Sequence, residues 1–298
     1  MRIVQLITRP QRRGAEIFAV QLAENLQKLG HEVVVISLFE GNGSLSYSGE
    51  FIQLNLSNRG KLDFNGFKIL AATLKGLKPD LVQANASHTL RMGVMARKIY
   101  GGNYPIIYRN ANQLSSFIKG KLQKLWNHWL LQQVDAIASV SQASKKDLYA
   151  NFLFSKPIEV IPIGIDPVEI SKKAEIAGWS LDQPYVIQLG GLVEEKNSLG
   201  MVEIFSALAN ERLHLVFLGS GPLENKLEAK IKEMQLESRV SIIPNRENIF
   251  PILSKASALV MPSKIEGLPA VILEAMYLKI PVVAYGVGGI PEVLMNGK

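Results

Sequence analysis

The 298-residue sequence contains no cysteine, which excludes disulfides and every cysteine-based metal site. Its four histidines are scattered, so a histidine-rich zinc site is not expected either. No Asp-x-Asp pair occurs. No uninterrupted apolar run approaches the ~20 residues needed to span a bilayer. The start Met1-Arg-Ile-Val-Gln-Leu-Ile7 enters a strand pattern directly, without a basic segment, a long apolar core and a cleavage site. A cytoplasmic protein is therefore expected. The opening also lacks G-x-G-x-x-G, which weakens a dinucleotide-binding reading. What is present is globular: 47% hydrophobic residues with 20% charged, in a chain long enough for one large domain or two ordinary ones.

Charge is unevenly placed. Residues 1–150 hold 19 Lys and Arg against nine Asp and Glu, a charge of +10, and the remainder holds 14 against 17, or −3. A basic first half suits an anionic surface such as inner-leaflet phospholipid or an anionic acceptor. No nucleic-acid motif accompanies it, so nucleic acid is not expected as a partner.

The pattern alternates strands and helices. Ile3–Ile7 reads as a strand, a helix follows from about Ala15 to Leu29 with Ala19, Leu22, Ala23, Leu26 and Leu29 on one face, and Gly30 ends it. His31–Leu38 is the next strand, and further strands are predicted at Leu81–Ala84, Ile106–Tyr108, Ala136–Val140 and Ile158–Ile161. This β–loop–α–β order belongs to a parallel, doubly wound sheet. His88 lies just past the C-terminal end of one strand, where open α/β sheets bind ligands, and a solvated loop histidine is the equal alternative. The stretch from Pro167 to Pro184, with Gly178, reads as a linker, and a second series of strands begins at Tyr185–Leu189 and includes Val240–Ile243 and Ala258–Met261.

The most informative stretch is Ser257 to Leu294. An apolar strand is followed by a turn through Glu266 and Gly267, and Pro269 opens a helix carrying Glu274. A helix N-terminus can receive a phosphate, and carboxylates beside it can accept hydrogen bonds from ribose or sugar hydroxyls. Beyond the next strand, Gly286, Gly288 and Gly289 permit close backbone approach to a ligand. The arrangement reads as a pocket for a sugar-diphosphate nucleotide; two ordinary surface glutamates are the bland alternative.

Glu-Gly-Leu-Pro, Leu-Glu-Ala-Met, Ile-Pro-Val-Val-Ala and Val-Gly-Gly-Ile-Pro-Glu-Val follow in order at this end of the chain. Together they resemble the donor-binding region of glycosyltransferase family 4, including its Glu-(seven residues)-Glu signature at Glu266 and Glu274. Gly14-Ala-Glu16, Ile161-Pro-Ile-Gly-Ile-Asp166 and Gly190-Gly-Leu-Val-Glu-Glu-Lys196 are similar to other family elements. The resemblance implies the GT-B fold: two α/β Rossmann-like domains facing across a cleft, an acceptor-side domain at 1–166, a linker at 167–184 and a donor domain at 185–298. Family members continue past this point, so the second domain is expected to be incomplete at its C-terminus.

The implied activity is retaining transfer of a sugar from a UDP- or GDP-linked donor to a sugar or lipid-linked acceptor, as in bacterial polysaccharide or glycolipid synthesis. Glu266 and Lys196 are the implied catalytic pair. Gly14, Gly190, Gly191, Glu266, Gly267, Glu274, Gly288 and Gly289 form the implied donor site, with Glu274 on the ribose and Lys196 on the diphosphate. No cofactor and no metal is implied, since these charges stand in for a divalent cation. Three positions depart from the family pattern: Arg13 replaces a glycine, Gly191 stands where an arginine is expected, and Asn110 stands near the place of an acceptor-side histidine. A non-catalytic nucleotide-sugar-binding or partner subunit therefore stays open, as does a sugar-nucleotide epimerase.

Phe117 to Leu131 mixes lysines with Leu, Trp and Phe at roughly helical spacing. It reads as an amphipathic helix burying its apolar face, with peripheral contact at an anionic inner membrane face as the alternative.

Overall fold

The computed structural model describes residues 1–41, 45–57, 63–153, 156–176, 181–208 and 212–297. The chain divides into two compact units, Met1–Pro162 and Ile163–Lys298.

The first unit holds seven strands: β1 (Arg2–Ile7), β2 (Glu32–Phe39), β3 (Glu50–Leu56), β4 (Leu81–Ala84), β5 (Ile106–Asn110), β6 (Ala136–Ser139) and β7 (Ile158–Val160). All pair in parallel, in the order β3-β2-β1-β4-β5-β6-β7. Its helices are α1 (Gly14–Lys28), α2 (Phe64–Leu77), α3 (Ser87–Tyr100), α4 (Lys121–Gln132) and α5 (Gln142–Asn151). Parallel strands need crossover helices, and those helices cover both sheet faces, so the central strands are largely apolar, broken in β1 and β4 by Gln5 and Gln83. The alternation still decides which face each residue serves. Val4, Leu6, Val34 and Ile36 pack with Phe67, Leu70 and Leu74 of α2. Ile3, Ile7, Val33 and Val35 pack with Ala19, Val20 and Ala23 of α1.

Two details of α1 differ from the sequence reading. Leu29 is its C-cap and stands 73% exposed, because the helix ends at Lys28 and Gly30, with a φ of +85°, turns the chain away. Glu16, which an apolar-periodicity reading passes over, is buried on the inner face.

The second unit repeats the plan with five parallel strands in the order β10-β9-β8-β11-β12. They are β8 (Tyr185–Leu189), β9 (His214–Leu218), β10 (Val240–Ile243), β11 (Ala258–Met261) and β12 (Val282–Ala284). Its helices are α6 (Pro167–Ala174), α7 (Ser198–Ser206), α8 (Glu224–Glu233), α9 (Phe250–Leu253), α10 (Ala270–Tyr277) and α11 (Ile290–Val293). One face buries Tyr185, Ile187 and Leu189 against α9 and α10, and the other buries Leu215 and Phe217 against α7 and α8.

The stretch expected as a linker carries α6. Asp166 caps it by accepting from the Glu169 N–H at 3.0 Å, with Pro167 opening the first turn. The helix is tied into the second unit, where Asn248 Nδ2 donates to the Lys173 carbonyl at 2.7 Å and the Ser171 and Tyr277 hydroxyls meet at 2.8 Å. Residues 177–180, with Gly178, lie outside the described residues.

Candidate active site

In the second unit the strand order reverses between β8 and β11. Loops leaving two such neighbours diverge to opposite faces of the sheet, and the crevice beyond their C-terminal ends is where ligands bind. Lys196 and Glu266 come together there. Lys196 closes a single 3₁₀ turn, Glu194–Lys196, after β8, and Glu266 lies in the loop between β11 and α10. Lys196 Nζ lies 2.5 Å from Glu266 Oε1. The Glu266 side chain is only 8% exposed and that of Lys196 23%, so the pair sits in a polar niche largely withdrawn from solvent.

Backbone contacts hold the two loops in register. Gln188, a buried residue on β8, donates through Nε2 to the Lys196 carbonyl at 2.8 Å and reaches Ser198 Oγ at 3.2 Å. The Lys264 N–H donates to the Glu195 carbonyl at 2.7 Å, joining the Lys196 turn to the Glu266 loop. Sequence reading missed this support. A glutamine inside the apolar run Tyr185-Val-Ile-Gln-Leu189 was its only signal, since a buried amide needs partners.

Two glycines are fixed by space rather than by preference. A Cβ at Gly288 would lie 2.1 Å from the Glu266 carbonyl oxygen, and its φ is +58°. A Cβ at Gly219 would lie 1.8 Å from the Gly190 carbonyl oxygen. The neighbouring Gly289 N–H donates to the Gly267 carbonyl at 2.5 Å. Gly190, Gly267, Gly288 and Gly289 thus pack backbone on backbone around the Lys196–Glu266 pair. Gly191 differs: a Cβ there would approach only to 3.8 Å, so no local crowding demands glycine where the family pattern places arginine.

Glu274 lies on α10, half-buried, facing α6. Burial pushes its carboxyl up to about 7, the Glu169 charge adds to the shift, and Lys173 opposes it. A carboxyl poised near neutrality can accept or donate a hydrogen bond according to pH.

The first unit gathers its own polar residues at the C-terminal ends of β1, β4 and β5. Gly14 is the first residue of α1, with no neighbour within 4 Å of the position a Cβ would take. Arg109 on β5 is 4% exposed, its Cζ lies 3.7 Å from the Phe18 ring centroid, and burial lowers its pKa to about 10. Glu16 is buried, which raises its pKa, while Arg13 and Arg109 pull it down.

His88 sits in the first turn of α3, exposed, with its ring edge-on to Phe39 at 6.4 Å. Partial burial and the nearby Arg91 and Arg9 charges lower its pKa. Asn110 is the last residue of β5 rather than a loop residue, and it is 1% exposed. Its Nδ2 donates to the Ser144 carbonyl at 3.2 Å and lies 3.4 Å from Ser139 Oγ, so the amide locks β5 to β6 and α5.

Comparison with known proteins gives the family and the fold. The family description "Glycosyltransferase Family 4" matches residues 12–169, and "Glycosyl transferases group 1" matches residues 169–298. A Campylobacter jejuni GalNAc-alpha-(1->4)-GalNAc-alpha-(1->3)-diNAcBac-PP-undecaprenol alpha-1,4-N-acetyl-D-galactosaminyltransferase is 25% identical over 292 residues, covering 94% of this chain and 78% of the relative. An uncharacterized glycosyltransferase of Methanocaldococcus jannaschii is 26% identical over 245 residues, 73% of this chain and 60% of the relative. A second C. jejuni enzyme, an N-acetylgalactosamine-N,N'-diacetylbacillosaminyl-diphospho-undecaprenol 4-alpha-N-acetylgalactosaminyltransferase, is 27% identical over 62% of this chain and 52% of its own length. The matches thus span little more than half of two of these relatives.

Among solved structures, sucrose-phosphate synthase from Thermosynechococcus elongatus superposes with a TM-score of 0.80 at 18% identity, covering 99% of this chain and 83% of that one. Anabaena HepE in complex with UDP and glucose gives 0.78 at 19%, covering 98% and 83%. These likenesses show the fold, the pair of Rossmann-like domains of GT-B glycosyltransferases. With a family match over more than half of its length, the chain belongs to glycosyltransferase family 4.

Proposed function

We propose that this chain transfers a sugar, with retention at the anomeric carbon, from a nucleotide-diphosphate sugar to a sugar or lipid-linked acceptor. The observation that carries the reading is the Lys196–Glu266 pair at the switch point of the second sheet, framed by glycines that let the surrounding loops pack backbone on backbone. Lys196 offers a compact positive charge to the diphosphate as it leaves, Glu266 accepts from a hydroxyl of the donor sugar, and Glu274 accepts from the ribose. Metal independence is part of the proposal, because the ammonium and the N-terminus of α10 supply the positive field. The pairing has a mechanistic consequence: Lys196 and Glu266 neutralise one another and must part when the donor enters, each exchanging its partner for a group of the donor.

Supporting observations are the bound UDP and glucose of the Anabaena relative in fold and the undecaprenol-linked acceptors named for the Campylobacter relatives. The test is a calorimetric titration of the chain with UDP, GDP and their common sugar conjugates, repeated with Glu274→Ala. Binding of one nucleotide class, weakened at least tenfold in the variant, is expected from the loss of hydrogen bonds to a charged group. Equal binding by the variant would remove Glu274 from the site, and no binding of any nucleotide by the parent chain would remove the donor pocket. A non-catalytic binding role draws on one observation: Gly191 leaves the diphosphate one cation short of the family pattern although space for a side chain exists. It predicts donor binding without transfer.

A further inference from the structure

Gln188 is a polar residue in an otherwise apolar strand, and it carries a cost there. It is 5% exposed, and its Oε1 is buried without a hydrogen-bond partner. A methionine or leucine would fill the same space without an unpaired acceptor, which destabilises a fold when buried. What the amide supplies in return is Nε2, which donates to the Lys196 carbonyl at 2.8 Å and reaches Ser198 Oγ at 3.2 Å.

The sheet explains why it meets those groups. β8 pairs with β11 only through Val186 and Ile187, but with β9 as far as Leu189. Gln188 is thus the first residue of β8 past its last β11 partner, where the two strands separate and the crevice opens. The turn Glu194–Lys196 comes back to that point, and it has little to hold itself by. A single 3₁₀ turn makes poor internal hydrogen bonds, and Asn197, at a φ of +55°, breaks from it before α7 begins. The Lys264 N–H fastens the Glu195 carbonyl, one residue earlier. Among the described residues no backbone N–H donates to the Lys196 carbonyl, so Gln188 supplies its bond. The Lys196 stem then runs against Gly190, where a Cβ would lie 3.3 Å from Cε, and the ammonium ends on Glu266.

Lys196 is therefore aimed from two places, by the carboxylate at its tip and by the amide at its root. The tip attachment is given up when the ammonium turns to a donor. The root attachment stays. We infer that Gln188 is a positioning residue, holding the Lys196 turn so that the ammonium meets the donor diphosphate once the ion pair has opened. The inference rests on the reading of Lys196 as the cation of that diphosphate, and Gln188 acts through Lys196, not on the donor.

The test replaces Gln188 by Met, and separately by Leu, in two backgrounds. One is the parent chain; the other carries Lys196→Met with Glu266→Gln, which removes the ammonium without leaving its carboxylate unpaired. Trace labelling of lysines with acetic anhydride, read by mass spectrometry without nucleotide, follows the Lys196 amine. Its labelling should rise several-fold in Gln188→Met, while Lys264 labels as before. Titration with UDP and GDP follows the site. Gln188→Met should weaken nucleoside diphosphate binding about tenfold in the parent chain and no further in the other background, the non-additivity of a residue that acts through another. A merely structural role would cost the same factor in both backgrounds, and that result would overturn the proposal. So would unchanged Lys196 labelling, or failure of both the Met and the Leu variant to fold by circular dichroism. If the parent chain binds neither nucleotide, the donor reading falls, and the labelling alone decides whether Gln188 holds Lys196.

Discussion

Lys196 and Glu266 illustrate how one ion pair can serve both the fold and the chemistry. The carboxylate is almost wholly buried, and its partner lies 2.5 Å away. Removing one member leaves a buried charge without compensation, which costs on the order of 3 kcal/mol, whereas removing both can be nearly neutral. Lys196→Met is therefore expected to lower the stability of the second unit markedly, and Lys196→Met with Glu266→Gln to recover most of the loss. The two single variants separate the binding roles. Glu266→Gln frees the ammonium from its internal partner and should tighten nucleoside diphosphate binding while depressing transfer. Lys196→Met should weaken binding. Urea denaturation and nucleotide titration on the four proteins of the cycle would check this; additive stability losses would show that the pair does not act as a unit.

Strands and loops place that pair, and here the fit is of backbone against backbone. The β12–α11 loop passes so close to the Glu266 loop that Gly288 has no room for a methyl group, and its positive φ adds about 1–2 kcal/mol for any L side chain. Gly288→Ala is expected to push the Glu266 loop outward, lowering the unfolding midpoint and weakening nucleotide binding at least tenfold. Unchanged titration would mean that this loop does not bound the site. Much of this was legible in the sequence. β4, β8, β10 and β11 begin and end where their apolar runs do, because strands covered by helices are written largely in apolar residues, with only an occasional Gln or Ser. β3, Glu50–Leu56, was not legible: its residues are exposed, half-buried and polar by turns at the sheet edge, and its pairing with β2 slips between Ser37 and Phe39. α6 was hidden by lysines in a stretch that reads as a linker, and α4 showed its composition but not its outward face, where Leu122 and Leu125 stand exposed. The motifs that drew attention to Glu266 and Lys196 carry chemistry. Gln188 and the Lys264–Glu195 bond, which hold those motifs in place, carry no motif and emerge only from packing.

At the scale of the whole molecule the two compact units own separate cores, with α1 to α5 around one sheet and α6 to α11 around the other. Each can unfold as its own cooperative block. Glu274 supplies a label for one of them. Its carboxyl is raised from 4.5 to about 7 in the folded protein, so between those values the native state holds a proton that the unfolded chain has lost. Stability of the second unit should then be greatest below pH 4.5 as far as this group is concerned, fall as pH rises toward 7, and level off above it. The full span is about 3 kcal/mol for a shift of this size, and partial exposure of the side chain reduces it to about 1–3 kcal/mol. Glu274→Gln keeps the shape of the neutral acid and removes the titration. At pH 8 the variant should unfold at a higher temperature than the parent; at pH 4.5 the two should converge. Calorimetry at both pH values reads this directly, and only one of two transitions should move. A shift of both together would mean that the sheets unfold as a single block. No shift at pH 8 would mean that Glu274 is ionised at no cost, and that its carboxylate is already solvated where the donor ribose is proposed to sit.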